Sequence, residues 1–123
     1  MNSAGMEVRD LFAGEPIALA LHQAVEAAIL SIGPAQIRVS KSQVGFYRKH
    51  PFASTWRPGQ YLKRKAAPLV LSIYLGRRDR STRWKEVVEP TPGRFTHHLE
   101  LHKVADVDEF VRARLIEAWK HAA

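Results

Sequence analysis

The side chains with the clearest capacity for chemistry lie in a short segment around His97 and His98. Apolar and polar residues alternate there, which is typical of a half-buried strand. Neighbouring strand residues point to opposite faces, so the two imidazoles cannot act together on one ion. His97 is in phase with the apolar residues, which favours a core position with a hydrogen bond to a backbone carbonyl. His98 shares its face with Glu100 and His102.

His98 and Glu100 have the spacing of an acid/base pair, and together with His102 they could converge on a metal ion. The same pattern also describes the polar outer face of an amphipathic strand. Since no further ligand is identifiable, we predict no metal site. The candidate catalytic residues are therefore His97, His98 and Glu100.

Basic side chains are the second group with chemical potential. Four arginines crowd one predicted loop, at positions 77, 78, 80 and 83, and guanidinium groups bind phosphate or carboxylate in bidentate fashion. Lys41 lies at a predicted turn, where backbone N–H groups can also cradle an anion. The alternative is a set of solvated turns and loops. The predicted anion-binding residues are Lys41, Arg57, Arg77, Arg78 and Lys85.

Aromatic residues accompany one of these basic stretches. Arg57 and the basic residues at 63–65 flank Tyr61, a mixture that suits single-stranded nucleic acid because phosphates meet charges and bases stack on rings. Trp56 is in phase with Phe52 and is predicted to lie in the core. Tyr61 is therefore the candidate stacking residue.

The elements that must position these side chains follow the order helix, strands, helix. Helical spacing predicts a helix over residues 16–32, which ends at Gly33-Pro34, and a second one after Asp106, the predicted N-cap, with Glu109 three residues on. Strands are predicted at 36–40, 43–47, 52–57, 69–75, 84–89 and 94–102, with a type II turn at 57–60. The nearly continuous apolar run at 69–75 indicates a central strand. This predicts an α+β domain with an antiparallel sheet of five to six strands and both helices packed on one face.

Composition and charge limit the classes of function. The 123 residues fit one domain, with residues 1–6 expected to be disordered, and the absence of cysteine excludes disulfides and thiolate chemistry. Residues 38–94 hold fourteen Lys and Arg against three Asp and Glu, a net charge of +11 in a chain of +7. Such a concentration attracts nucleic acid, phosphorylated molecules or acidic partners, or serves only as a solubilising surface.

Several motifs that would signal a specific activity or location are missing from the sequence. We find no glycine-rich phosphate loop, no nucleophile elbow and no Ser/His/Asp pattern, so no cofactor is predicted. No secretory signal or membrane-spanning segment is recognisable, which favours the cytoplasm.

Three segments carry a resemblance to a known family: KSQVGF at 41–46, WRPGQYL at 56–62 and GRFTHHLEL at 93–101. With the flanking helices, they resemble the bacterial family catalogued as domain of unknown function 5655, over about residues 8–119. The resemblance implies the helix, sheet, helix arrangement. It implies no catalytic residues, because that family has no established activity to carry over.

Three functional hypotheses remain open at this point. The first is a non-catalytic module that binds nucleic acid or another polyanion through the basic middle of the chain. The second is an enzyme or small-ligand-binding protein with an anionic substrate, which requires His97 or His98 to converge with Lys41, Arg57 and Lys85 in one pocket. The third is a protein-interaction module, with a homodimer as its simplest form.

Overall fold

The computed structural model describes residues 7–60 and 66–123. These contain the helices α1 (Val8–Leu11), α2 (Pro16–Ile32) and α3 (Glu109–His121). The strands are β1 (Gln36–Val39), β2 (Val44–Tyr47), β3 (Pro51–Trp56), β4 (Leu69–Leu75), β5 (Glu86–Thr91) and β6 (Arg94–Leu101), and short 3-10 turns cover Pro58–Gln60 and Val104–Asp106. The expectations for residues 1–6 and for Tyr61 lie outside the described residues.

The strands form one antiparallel sheet in the order β1-β2-β3-β4-β6-β5. The apolar strand β4 lies inside this sheet, between β3 and β6, as its nearly continuous hydrophobic run predicts. Helices α2 and α3 pack against each other and against the same face of the central strands. The prediction of an α+β fold with five to six strands and two helices on one face is confirmed.

The core lies between the helices and the inner face of the sheet. On that face Leu71 pairs with Leu99, and Leu69 with Leu101, and all four side chains are buried. Fully burying an aliphatic side chain stabilises the folded state by about 1.5–3 kcal/mol, so this layer holds both helices on the sheet. The helical contributions come from Leu21, Val25, Ile29, Val111, Leu115 and Ala118.

The opposite, outer face of the sheet carries polar side chains in register. Ser54 on β3 pairs with Ser72 on β4, and Ser72 pairs with His98 on β6. His98 pairs in turn with Glu86 on the edge strand β5. Because both long helices pack on the inner face, this row of side chains is left to form a surface of its own.

Trp56 belongs to the outer face, so its predicted core position is wrong. The β2–β3 ladder shifts register between Phe46 and Tyr47, where a bulge inserts one extra residue into β3. Phe52, next to this irregularity, is fully buried, whereas Trp56 shares its face with Ser54. A one-residue bulge reverses the phase of alternation, which is why the sequence pattern misplaces the indole.

The α3 N-terminus also differs from its prediction. The N-cap is Asp108, whose carboxylate accepts a hydrogen bond from the Val111 N–H at 3.2 Å. Asp106 instead accepts from the backbone N–H groups of His102 and Lys103 and closes the preceding 3-10 turn. Two acidic residues two positions apart both offer N-cap chemistry, and sequence spacing alone selects the wrong one.

The turn after β3 is not type II. That turn type needs a positive φ at Gly59, but the described glycines with positive φ are Gly14 and Gly93. Pro58 instead begins a 3-10 turn, which its fixed φ allows.

Candidate functional site

A groove of about 800 Å³ opens on the outer face of the sheet. Its floor is formed by β3, β4 and β6, and it continues past the end of β4 to the last turn of α3. The hairpin between β5 and β6 and the start of β3 supply the sides. The polar lining residues are Gln43, His50, Ser54, Ser72, Tyr74, Thr91, Arg94, Thr96, His98 and His121, and the aromatic rings of Trp56 and Phe95 join them.

Three side chains on the floor form a hydrogen-bonded chain across three strands. Trp56 Nε1 donates to Ser72 Oγ at 3.0 Å. Ser72 Oγ lies 2.7 Å from His98 Nδ1. The indole and the imidazole also meet edge to face, with ring centroids 5.9 Å apart. These contacts hold the His98 ring in one orientation at the groove.

A second hydrogen bond connects two hydroxyl groups beside this chain. Ser54 Oγ lies 3.0 Å from the Tyr74 hydroxyl. Burial raises the pKa of Tyr74 above its ordinary value, against the opposing effect of the Ser54 hydrogen bond. Tyr74 is therefore a neutral phenol at neutral pH and can donate or accept a hydrogen bond in the groove.

The charged side chain that lines the groove is an arginine. The lining residues that the structure describes include Arg94 and three histidines but no Asp or Glu. Arg94 makes no ion pair with any carboxylate in residues 7–60 and 66–123. Its guanidinium group is exposed and lies close enough to Tyr74 to lower the pKa of the phenol. Arg94 is therefore able to bind an anion without first breaking an ion pair.

His98 is neutral at physiological pH. Burial lowers its pKa below the ordinary value, and the nearby charge of Glu86 only partly opposes this effect. Glu86 lies at the rim on β5 and makes no hydrogen bond with the imidazole. A neutral histidine can supply one donor and one acceptor, which is the state that general base chemistry or neutral hydrogen bonding needs.

His97 lies on the opposite face and takes no part in the groove. It is fully buried, and its Nε2 accepts the backbone N–H of Asp79 at 2.9 Å. Its Nδ1 faces the Phe95 carbonyl oxygen at 3.2 Å and donates to it. Both ring nitrogens therefore have structural partners, as the predicted core position requires.

The arginine loop is largely neutralised by internal carboxylates. Arg77 forms a bidentate pair with Glu117, with both distances 2.8 Å, and a further ion pair with Asp79 at 3.1 Å. The Glu117 hydrogen bonds raise the pKa of Arg77 above its ordinary value. Arg83 donates from Nη1 to both Asp108 oxygens at 2.8–2.9 Å and from Nη2 to the Asp106 carbonyl at 2.8 Å. Arg78 remains exposed at 5.4 Å from the centroid of the Phe95 ring.

The other predicted anion-binding residues do not line the groove. Lys41 is exposed in the β1–β2 turn, where the Ser40 hydroxyl already accepts the two backbone N–H groups that follow Lys41. Arg57 lies 3.8 Å from the Glu15 carboxylate. Lys85 and Glu100 line a separate hollow of about 300 Å³. The second hypothesis requires His97 or His98 to converge with Lys41, Arg57 and Lys85, and of these residues the groove is lined by His98.

Several groove residues were missed by sequence reasoning. Ser72 and Tyr74 break the apolar run of β4 at alternate positions, and Ser54 and Trp56 do the same on β3. This period of two was the available signal of a polar outer face. The pairing of Ser72 with His98 joins residues 26 positions apart, and it depends on a strand register that spacing along the chain does not reveal.

No metal centre is formed within residues 7–60 and 66–123, since three ligating side chains do not come together there. His102 Nε2 lies 4.0 Å from Glu100 Oε1, but His102 follows the end of β6. Within the same residues, every helix is too short or too polar to cross a membrane.

Comparison with known proteins places the chain in a family. No match was found among curated proteins or among solved structures. A family model matches residues 8–122, which include all the helices and strands described above. The chain belongs to the family described as Domain of unknown function (DUF5655).

Proposed function

We propose that the protein binds a small anionic ligand in the outer groove. The observation that carries this proposal is the lining itself: Arg94 and three histidines without a carboxylate among the described lining residues. Concave sites with a few convergent polar groups on an apolar floor are the usual form of small-molecule sites. A volume of about 800 Å³ is within the range of such sites.

Arg94 supplies the permanent positive charge of the proposed site. In contrast, Arg77 and Arg83 already donate hydrogen bonds to the carboxylates of Glu117 and Asp108. A planar guanidinium group can hold a carboxylate or phosphate through two parallel N–H bonds. Arg94 therefore anchors the anionic group of the ligand, with His98, four residues further along β6, as a second donor.

The aromatic lining favours a ligand with a flat apolar part. Trp56, Tyr74 and Phe95 contribute rings to the groove, and Tyr74 and Ser54 offer hydroxyl groups beside them. Rings bury a large apolar area and prefer offset or edge-to-face contacts with another ring. We therefore infer an aryl carboxylate, an aryl phosphate or a nucleoside monophosphate as the ligand class.

A binding screen with an arginine variant tests the proposal. We expect phenyl phosphate, benzoate or a nucleoside monophosphate to raise the melting temperature, and phenol and benzamide to have little effect. Arg94→Ala should weaken the affinity, measured by calorimetry, by about tenfold to a hundredfold, because hydrogen bonds to charged groups are the strong ones. Arg80→Ala, which removes an exposed arginine outside the groove, is the matched control. Equal affinities of the two variants would contradict the assignment.

Single-stranded nucleic acid is a second candidate, favoured by the rings on the same open face. Tyr47 lies under the Arg38 guanidinium at 4.1 Å and is close enough to Tyr74 of the groove to affect the pKa of that phenol. Rings with adjacent positive charges form stacking platforms. Fluorescence anisotropy of labelled oligonucleotides at about 50 and 200 mM salt separates the two candidates. A polyanion site gains affinity with oligonucleotide length and loses it with salt, whereas a mononucleotide site does not depend on length.

A further inference from the structure

In the hydrogen-bonded chain of Trp56, Ser72 and His98 on the groove floor, the chemistry of the three side chains determines which atom donates and which accepts. Ser72 Oγ lies 3.0 Å from Trp56 Nε1 and 2.7 Å from His98 Nδ1. Ser72 is 1% exposed, so its hydroxyl group depends on protein partners.

An indole N–H can only donate, so Ser72 Oγ accepts the hydrogen bond from Trp56. The hydroxyl hydrogen must then find an acceptor, and His98 Nδ1 is the remaining hydrogen-bond partner of Ser72 Oγ among the described residues. If His98 Nδ1 carried the proton instead, Ser72 would accept twice and its own buried hydrogen would have no acceptor there. Leaving a buried donor unsatisfied is costly, so the arrangement in which Ser72 donates to Nδ1 is favoured.

We propose that the Trp56–Ser72 pair fixes neutral His98 as the tautomer protonated at Nε2, and thereby provides an N–H donor for the ligand's anionic group. His98 lines the groove, and its Nε2 makes no hydrogen bond with any described residue. Glu86, the carboxylate opposite His98 on β5, does not form a hydrogen bond with it. Trp56 and Ser72 are thus positioning residues that act through His98.

This assignment makes the two anion-binding groups donors only. Arg94 has no acceptor atoms, and Nε2–H offers none in this tautomer. The site therefore favours an ionised oxygen acceptor, such as a carboxylate or a phosphate, over a neutral amide or alcohol, which is a weaker acceptor and whose own N–H or O–H would find no acceptor on these two groups. Only this ligand preference rests on the proposed function, because the tautomer is a property of the free protein.

Nitrogen NMR of the uniformly labelled free protein tests the tautomer directly. Long-range proton–nitrogen spectra at about pH 7.5, a pH at which an imidazole of ordinary pKa is mostly neutral, distinguish protonated from unprotonated ring nitrogens. His98→Gln identifies the signals by their loss. We expect an unprotonated Nδ1 and a protonated Nε2. A protonated Nδ1 would overturn the proposal, whatever the ligand screen yields.

Three variants test the positioning role with phenyl phosphate as the probe. Ser72→Ala should lower the affinity about threefold to tenfold, the range of one neutral hydrogen bond, while Ser72→Thr keeps the hydroxyl and should restore it. Trp56→Phe keeps a ring but removes the N–H donor, and it should mix the two His98 tautomers even where Ser72→Ala folds poorly. An unchanged tautomer in both Ser72→Ala and Trp56→Phe would overturn the proposal. If wild type shows the expected tautomer but binds no member of the ligand panel, the proposed function fails and the tautomer assignment stands.

Discussion

At the scale of single residues, Asp79 explains why the arginine loop has few free charges. Its carboxylate is 5% exposed and accepts from Trp84 Nε1 at 2.8 Å and from Arg114 at 3.1 Å, and Arg77 lies 3.1 Å away. Burial acts to raise its pKa, but the hydrogen bonds outweigh this effect and lower the pKa to about 2. One buried acid thus orders a loop that the sequence presents as a cluster of repelling cations.

We expect Asp79→Ala to destabilise the fold by about 3 kcal/mol, because it leaves the buried Trp84 N–H and the Arg114 guanidinium group without their acceptor and removes one of the two acids paired with Arg77. Urea unfolding measures the change. Glu117→Gln is the matched control, since it removes a half-exposed partner of the same Arg77 and should cost under about 1 kcal/mol. Equal losses in the two variants would show that Asp79 has no special role.

At the scale of elements, the limits of sequence reasoning follow from what sets each structure. The predicted bounds of helix α2, 16–32, are those observed, because Pro16 and Gly33 mark its ends locally. The face of Trp56 and the N-cap of α3 were predicted wrongly, because a bulge and a choice between two acids depend on packing. The groove required the register of β3, β4 and β6, which only long-range pairing determines. Of the predicted site residues that the structure describes, His98 alone lines it.

The junction between α2 and α3 offers a test at this scale. Gly33 has an extended backbone, so any residue fits its conformation, but a Cβ atom there would overlap the Trp119 indole ring. Trp119 cannot easily move, because its Nε1 donates to the Pro34 carbonyl at 3.0 Å and Arg48 stacks on it at 3.6 Å. Gly33→Ala should therefore cost about 1–3 kcal/mol through overpacking.

Urea unfolding again measures this effect. Gly59→Ala is the control, since a Cβ at Gly59 meets no described atom within 4 Å and its φ is not positive. We expect Gly59→Ala to leave the unfolding midpoint nearly unchanged or slightly raised, because alanine lowers the entropy of the unfolded chain. A Gly33→Ala protein as stable as Gly59→Ala would mean that the indole ring can shift aside.

At the scale of the whole molecule, the net charge of the basic middle segment does not show how many of its cations are already paired with acids. The middle of the chain carries a net charge of +11, yet Arg77 and Arg83 are held by acids from α3 and its N-cap, and Arg57 lies near Glu15. Acids from the negative ends of the sequence thus fold back onto the basic middle. Of the described arginines that have no such partner, Arg94 is the one that lines the groove, whereas the exposed Arg78 and Arg80 lie outside it.

Stability of the whole molecule should fall in mild acid because of three histidines. Burial lowers the pKa of His22, His97 and His98 below the ordinary value of 6.5, although Glu26, backbone carbonyls and Glu86 respectively oppose the shift. As the pH falls through about 6.5, the unfolded chain takes up protons that the folded protein does not. The free energy of unfolding therefore decreases as the pH falls. This decrease ends below the folded-state pKa values, where the folded protein is protonated as well.

Urea midpoints between about pH 7.5 and 5 measure this slope, in the window where an unfolded histidine titrates. His22→Gln should reduce the slope, because the amide retains hydrogen bonding to Thr55 or Glu26 but does not titrate. His102→Gln, which removes an exposed histidine, is the matched control. A second decrease belongs to Asp79, whose contribution is present above its unfolded pKa of 3.8 and is lost as the pH falls toward about 2. A midpoint that stays level from pH 7.5 to 5 would mean that the three imidazoles take up protons in the folded state, which for His97 requires loss of the hydrogen bond that its Nε2 accepts from the Asp79 N–H.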